Sequence, residues 1–142
     1  MQQEVRRLTI DDALVVAQLE REARASLQNQ RGGSALLAER PAVGEWAQLA
    51  DNDDRPVWVG AIDGSVFAYL ELCVMAGAAD ARKAVVMQVY VEPLAREVGF
   101  GDWLLAAAID YARERECGAI EGYALPGDRA TKNLYERAGI TA

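Results

Sequence analysis

The chain has 142 residues, 51% hydrophobic and 26% charged, so it can build one domain with its own core and is not disordered throughout. Its formal net charge of −7 argues against tight nucleic-acid binding, which depends on Lys and Arg to neutralise phosphates. Because the chain contains no histidine, a Ser-His-Asp triad and a histidine-ligated metal are excluded. We expect a single domain over 1–142.

The N-terminus and the two cysteines bear on location. Residues 1–9 lack the apolar stretch of a secretion signal, and no apolar run is long enough to span a bilayer. Cys73 and Cys117 lie far apart, with the spacing of neither a metal site nor a disulfide framework. The sequence therefore predicts a cytoplasmic protein without membrane contact or a metal, and its negative charge fits a basic or amine-bearing partner.

The first third of the chain predicts a short strand at 5–10 and an amphipathic helix. Thr9 and Asp12 form a capping signal before that helix, in which apolar residues recur at helical spacing, at Val16, Leu19, Ala23 and Leu27. The following segment, 28–55, is irregular apart from a possible short helix at 45–49. By its position it is the expected wall of an acceptor site.

Three consecutive strands are predicted next, at 57–62, 66–75 and 84–91. Asp63-Gly64 accepts the positive φ angles of a tight type I′ turn, so the first two strands form a predicted antiparallel hairpin. The third is nearly all apolar and leads into a glycine-containing segment.

Helix, strand and helix complete the predicted order, at 101–116, 119–124 and 129–138. Gly118 is expected to stop the first of these helices, Pro126-Gly127 to turn the chain, and Asp128 to cap the last helix. The connection from 84–91 to 119–124 predicts a right-handed parallel crossover. The order β-α-(α)-β-β-β-α-β-α predicts a mixed α/β fold.

The segment 92–102 is a candidate anion site. Arg96 precedes Gly99-Phe100-Gly101 by three residues, and the following helix N-terminus offers N–H donors and partial positive charge. Glycines at such a place also occur simply to permit the turn. A Walker loop would need lysine and Ser/Thr where the chain has Asp102-Trp103, and a Rossmann loop would need a third glycine at Leu104. Both nucleotide-binding interpretations are therefore disfavoured, whereas a diphosphate remains a natural ligand for Arg96 and the helix N-terminus.

Two motifs in this chain resemble those of the GNAT N-acyltransferases. Val91-x-Pro93-x-x-Arg96-x-x-Gly99-x-Gly101 closely resembles the family's acetyl-coenzyme A motif. The segment 128–140 is similar to the family's signature N-x-x-A-x-x-L-Y-E-x-x-G-F, with Asp128 for asparagine, Thr131 for alanine and Ile140 for phenylalanine. Together with the element order, the resemblance covers nearly all the chain and implies a GNAT-like mixed sheet.

The resemblance also implies how acetyl-coenzyme A is held. Backbone groups of Val89, Tyr90 and Val91 would pair with the pantetheine arm. The diphosphate would be wrapped by the segment Arg96, Glu97, Val98, Gly99, Phe100 and Gly101, with the N–H of Asp102. Asp128 could accept a hydrogen bond from the pantetheine, but an ionised carboxylate cannot donate one.

The implied reaction is direct attack of an amine on the thioester, with no nucleophilic side chain. Tyr135 matches the tyrosine that protonates the departing thiolate; alternatively it only hydrogen-bonds the sulfur or is a core aromatic. A strand N–H near Val89 or Val91 would polarise the carbonyl.

A base must also remove the proton of the attacking amine, and carboxylates are the candidates. Glu71 and Glu121 interrupt apolar strand patterns, so each would have a raised pKa if buried and unpaired; the alternative is a charge on the solvated sheet face. Glu92 is a weaker third option. All three tryptophans, Trp46, Trp58 and Trp103, are expected in a core or an interface, and Trp46 is the best candidate among them for the acceptor site.

The expected acceptor is a small amine or a peptide amine. The alternative is a non-catalytic domain that binds acyl-coenzyme A. The family continues into a further strand that pairs beside 119–124, whereas this chain ends at Ala142, so a C-terminal strand is expected to be missing. A homodimer or further residues would cover the open edge.

Overall fold

The computed structural model describes residues 2–125 and 128–140. One sheet contains five strands, named β1 (Gln3–Arg7), β2 (Val57–Ile62), β3 (Ser65–Ala76), β4 (Arg82–Val91) and β5 (Cys117–Gly122). Four α-helices pack around it, α1 (Ala13–Gln28), α2 (Gly33–Glu39), α3 (Phe100–Glu114) and α4 (Arg129–Ala138). The predicted mixed α/β fold is confirmed.

The strands lie in the sheet in chain order. β1 to β4 are antiparallel neighbours, and β5 is parallel to β4 because α3 carries the chain back across the sheet. Asp63 and Gly64 in the β2–β3 turn both have positive φ, 49° and 85°, as the hairpin prediction requires.

The pairing of β4 changes halfway along the strand. Toward β5 it ends at Val86↔Gly122, whereas toward β3 it continues to Val91. Glu71 pairs with Gln88 and Leu72 with Val86, so Met87 is the extra residue of a bulge in β4. One edge of the second half of β4 therefore lacks a strand neighbour within the part of the chain that the structure describes.

The sheet is covered by apolar side chains on both faces, because successive strand residues point to opposite sides. One core lies under α3 and α4 and includes Leu70, Leu72, Phe100, Leu104 and Tyr135. The other lies under α1 and includes Val16, Trp46, Val57 and Tyr69. Trp58 is buried in the first core, as expected, and Trp103 is 48% exposed on α3.

The segment 28–55 is more regular than the sequence indicated. It contains α2, a seven-residue helix that starts after Gly32 in the left-handed conformation at φ 81°. The expected helix at 45–49 is a 3-10 turn, Trp46–Leu49. At seven residues α2 is too short for its periodicity to stand out.

Two local features also differ from expectation. Gly118 lies inside β5 rather than at the end of α3, and the chain instead turns at Glu116 with φ 58°. Pro93–Val98 forms a 3-10 helix where a loop was expected. The predicted turn at Pro126-Gly127 lies outside the described residues. Within the described ranges, no helix has the length and apolarity needed to cross a membrane.

Candidate functional site

A cavity of about 580 Å³ lies where β4 and β5 separate. Its walls are the end of α1, α2 with the segment after it, the second half of β4, and the first turns of α3 and α4. The structure brings to it most of the predicted site residues, namely Glu71, Val89, Tyr90, Val91, Arg96, Gly99, Gly101, Asp102, Asp128 and Tyr135. The segment 28–55 contributes one wall.

The open edge of β4 presents backbone groups to this cavity. The N–H of Glu92 donates to the carbonyl of Phe67 at 2.8 Å, so the backbone groups of Glu92 and, by alternation, Tyr90 face β3. Those of Val89 and Val91 therefore face away from β3, on the side without a strand neighbour. Of the three predicted strand residues, these two can hydrogen-bond a ligand through their backbone.

The N-terminus of α3 forms the second polar part of the cavity. Glu92 accepts a hydrogen bond from the N–H of Leu94 at 3.0 Å and so begins the 3-10 helix that leads to Gly99. Gly99 has φ 93° and is the N-cap of α3. The first N–H groups of a helix have no partner within it, and here they belong to Phe100, Gly101 and Asp102. They provide donors and positive potential for an anion.

Arg96 lies beside these donors. Its Nε donates to the carbonyl of Val91 at 3.1 Å, and its guanidinium lies 5.9 Å from the centre of the Tyr90 ring. The contacts hold an exposed cation where β4 meets the loop. The carboxylate of Asp102, which would oppose an anion here, is paired with Arg137 at 3.1 Å.

Not all of the predicted loop residues reach the cavity. Phe100 is fully buried and its ring lies against Gly60, where an added Cβ would come within 2.7 Å of the ring. Val98 packs on the same core, and Glu97 is exposed. These three side chains do not line the cavity, so only their backbone can take part in binding.

Tyr135 is 2% exposed and lies on the inner side of α4. Its ring packs on Gly122 of β5, where an added Cβ would lie 2.6 Å from Cζ. Burial raises the pKa of Tyr135 to about 12, an effect that the charge of Arg40 opposes and that of Asp128 reinforces. The phenol is therefore protonated at neutral pH and can donate a proton.

Asp128 is the N-cap of α4, as its position predicted. One carboxylate oxygen accepts from the N–H of Thr131 at 3.1 Å and the other from its hydroxyl at 2.7 Å. Thr131 is thus the partner of Asp128, so these two departures from the family's signature are in direct contact.

Glu71 is 2% exposed, but it is not the unpaired carboxylate that was considered. Its Oε2 accepts from Arg55 at 2.6 Å and its Oε1 from the side-chain amide of Gln88 at 3.0 Å. The same amide nitrogen donates to Glu20 at 3.1 Å, and its oxygen accepts from the hydroxyl of Tyr69 at 2.7 Å. Gln88 therefore connects the buried polar groups at this end of the cavity.

Glu20 was missed by the sequence analysis. It is 2% exposed and also accepts hydrogen bonds from the N–H groups of Val43 and Gly44 and from the indole of Trp46, at 3.0, 3.3 and 3.1 Å. A signal existed, because Glu20 lies four residues after Val16 and so falls on the apolar face of α1. A carboxylate there needs buried donors.

Three other candidate residues lie outside the cavity. Glu121 points outward from β5, with 52% of its side chain exposed, and lies 3.5 Å from Lys83, so it is not a buried carboxylate. Trp46 is fully buried in the core under α1 and does not line the cavity. Glu92 caps the 3-10 helix instead of facing the cavity.

Comparison with solved structures shows the same fold. The ribosomal-protein-alanine N-acetyltransferase from Brucella melitensis biovar Abortus 2308 has a TM-score of 0.75 at 18% identity, covering 100% of this chain and 93% of the other. An aminoglycoside acetyltransferase from an uncultured soil metagenomic sample, in complex with sisomicin, has a TM-score of 0.73 at 17% identity, covering 99% and 89%. AAC(6')-Iy in complex with the bisubstrate analogue CoA-S-monomethyl-acetylneamine has a TM-score of 0.74 at 15% identity, covering 100% and 92%.

Sequence comparison points to the same family. No curated protein sequence matches the chain at significant similarity. The family model for the acetyltransferase (GNAT) family matches residues 16–140, which include both motifs, the open edge of β4 and Tyr135. This match spans most of the chain, and the chain belongs to the GNAT acetyltransferase family.

Proposed function

We propose that this protein is an N-acetyltransferase that transfers the acetyl group of acetyl-coenzyme A to an amine of a small molecule or peptide. One observation carries the proposal: a single cavity joins the α3 N-terminus, the open edge of β4 and the hydroxyl-bearing side chain of Tyr135. These are an anion site, a strand-like binding edge and a proton donor.

The residues present fit acetyl-coenzyme A. The N–H groups of Gly101 and Asp102, with the Arg96 guanidinium, would hold the diphosphate. Val89 and Val91 would hydrogen-bond the pantetheine amides through the backbone groups that face away from β3. Asp128 would contribute mainly by fixing the start of α4, because Thr131 occupies both of its oxygens.

When bound, acetyl-coenzyme A supplies a thioester that an amine can attack directly. A backbone N–H of Val89 or Val91 would donate to the carbonyl oxygen as negative charge develops there. Tyr135 would give its proton to the departing thiolate, which its protonated state at neutral pH allows.

Glu71 is the carboxylate that we propose as acceptor of the amine proton. Among the described carboxylates of the cavity it alone is buried, while Asp102 is paired with Arg137 and Asp128 caps α4. Its partner Arg55 is partly exposed, so the proton could leave toward solvent through water beside that pair. Glu121 is not proposed as a base, because it faces solvent.

A second candidate function follows from the same network. Both oxygens of Glu71 already accept hydrogen bonds, so the cavity has no buried, unpaired carboxylate among the described residues. A domain that binds acyl-coenzyme A without turnover would have no need of such a carboxylate as a base.

The two functions separate in one experiment. Calorimetry with acetyl-coenzyme A would measure binding, and thiol release would measure turnover across a panel of amino acids, polyamines, aminoglycosides and N-terminal peptides. We expect binding together with amine-dependent thiol release. Binding without release on any amine would favour the non-catalytic domain, and absence of binding would exclude both.

A further inference from the structure

The cavity is lined by five arginines, and three of them already have a clear role. Arg55 is paired with Glu71 and Arg137 with Asp102, at 2.6 and 3.1 Å. Arg96 lies at the α3 N-terminus, where the diphosphate is proposed to bind. The remaining cases are Arg24 and Arg40.

Arg24 serves the chain itself. Its two terminal nitrogens donate to the backbone carbonyls of Arg40 and Leu37, at 2.7 and 3.3 Å. These carbonyls lie at the C-terminal end of α2, where a cation is favourable. Arg24 therefore ties α2 to α1 and fixes the backbone from which Arg40 extends.

Arg40 is different, because it has no carboxylate partner in the described part of the chain. Its Nη1 donates to the carbonyl of Met87 at 2.9 Å, and its guanidinium lies 5.8 Å from the centre of the Tyr123 ring. A guanidinium has five N–H donors, so four remain after this hydrogen bond. The charged guanidinium of Arg40 thus lies at the bulge where β4 and β5 separate.

The carboxylates nearby cannot neutralise this charge directly. Glu20 and Glu71 accept hydrogen bonds from other donors, and Glu39 is exposed and forms no ion pair with Arg40 within 4.0 Å. A planar guanidinium held against a ring and a carbonyl is ready for bidentate contact with a carboxylate or phosphate.

We propose that the acceptor amine carries an anionic group, a carboxylate or a phosphate, and that Arg40 binds this group beside the attacking amine. The inference rests on the proposed N-acetyltransferase function and names the class of its acceptor. It runs against the net charge of −7, which by itself would favour a cationic acceptor. The positive charge of Arg40 acts on the acceptor at close range, whereas the negative charges on the distant surface are screened by salt.

The kinetic test uses pairs of amines in which an anionic group is replaced by an uncharged one. Glycine with glycinamide, and O-phosphoethanolamine with ethanolamine, separate the carboxylate from the phosphate; spermidine and sisomicin represent cationic acceptors. We expect kcat/KM for one anionic amine to exceed that of its uncharged partner by about ten-fold or more. Preference for spermidine or sisomicin, or equal rates within both pairs, would overturn the inference while leaving the proposed function intact.

A binding test does not depend on turnover. Calorimetry on protein saturated with coenzyme A would compare the binding of N-acetylglycine with that of N-acetylglycinamide. It would likewise compare O-phosphoethanolamine with ethanolamine. We expect one anionic member to bind about ten-fold more tightly, the difference to disappear in Arg40→Gln and to shrink in Arg40→Lys. Arg21→Gln, an exposed residue of α1 outside the cavity, should leave it unchanged.

The two tests fail in different ways. Selective binding of an anionic ligand without any thiol release would support the Arg40 site and contradict the proposed function. If Arg40→Gln instead weakens coenzyme A itself and leaves the anionic preference unchanged, Arg40 belongs to the donor site and the inference is wrong.

Discussion

Gln88 donates a hydrogen bond from its side-chain amide to the buried carboxylate of Glu71 at 3.0 Å. Because the same amide also contacts Glu20 and Tyr69, it connects α1, β3 and β4 at the inner end of the cavity. A charge buried at this point needs all of its donors.

The first prediction concerns this network. Gln88→Leu should lower the free energy of unfolding by about 1–3 kcal/mol, because Glu20 and Glu71 each lose a buried donor. Urea denaturation measures the change. Gln48→Leu, at an exposed position in the Trp46–Leu49 turn, should change it by less than about 0.5 kcal/mol. Equal effects of the two would show that the network adds little stability.

Glu71 and Glu121 form a matched pair for the proposed base. Glu71→Gln should lower kcat by about 100-fold with little change in coenzyme A affinity, because the proton acceptor is lost together with its ion pair to Arg55. Glu121→Gln should leave kcat unchanged, since its carboxylate faces solvent. Steady-state rates and calorimetry on the same preparations test both. An unchanged kcat in Glu71→Gln would remove it as the base.

Tyr135→Phe should lower kcat by about 100-fold or more if the phenol protonates the thiolate. An unchanged kcat would leave Tyr135 with a packing role only.

A separate prediction concerns the effect of pH on stability. The pKa of Tyr135 is raised by burial from 10.0 to about 12, so the folded state holds this proton more tightly than the unfolded state does.

That stabilisation should be fully present below pH 10 and be lost as the pH rises toward 12. The difference in unfolding free energy between the wild type and Tyr135→Phe should therefore fall by about 2 to 3 kcal/mol across this range. Urea denaturation at several pH values measures it. A difference that does not change with pH would contradict the raised pKa.

Gly122 and Gly118 lie in the same strand but differ in what they touch. An added Cβ at Gly122 would lie 2.6 Å from the Tyr135 ring, whereas at Gly118 the nearest atoms are 3.9 Å away. Gly122→Ala should displace Tyr135, lower the free energy of unfolding by about 1–3 kcal/mol and reduce kcat. Gly118→Ala should have none of these effects. Equal activity in the two variants would mean that the position of Tyr135 is not critical.

Arg96→Ala should weaken coenzyme A binding by about ten-fold, because a charge-assisted contact to the diphosphate is lost. Arg113→Ala, exposed near the end of α3, is the control with the same loss of charge. Calorimetry on both variants measures the effect. If coenzyme A binds Arg96→Ala as tightly as the wild type, the loop assignment is wrong.

Much of the fold follows from local sequence signals. Asp63-Gly64 predicts the hairpin because those residues accept positive φ, and α4 begins after Asp128 and ends before Gly139 as its capping residues predict. The motif from Val91 to Gly101 predicts the strand, the turn and the helix start that form the candidate anion site. Each of these features depends on neighbours within a few residues, which is why the sequence alone reveals them.

The interior of the cavity depends on contacts between distant segments. Glu71 is paired with Arg55, sixteen residues away, and Gln88 contacts Glu20 across 68 residues. The sequence alone determined the family and identified the loop 96–101 and Tyr135 as candidate site residues. The tertiary structure decided that Glu71 is buried and paired, that Glu121 and Trp46 lie outside the cavity, and that Arg40 faces into it, because burial and pairing depend on how the sheet and helices pack.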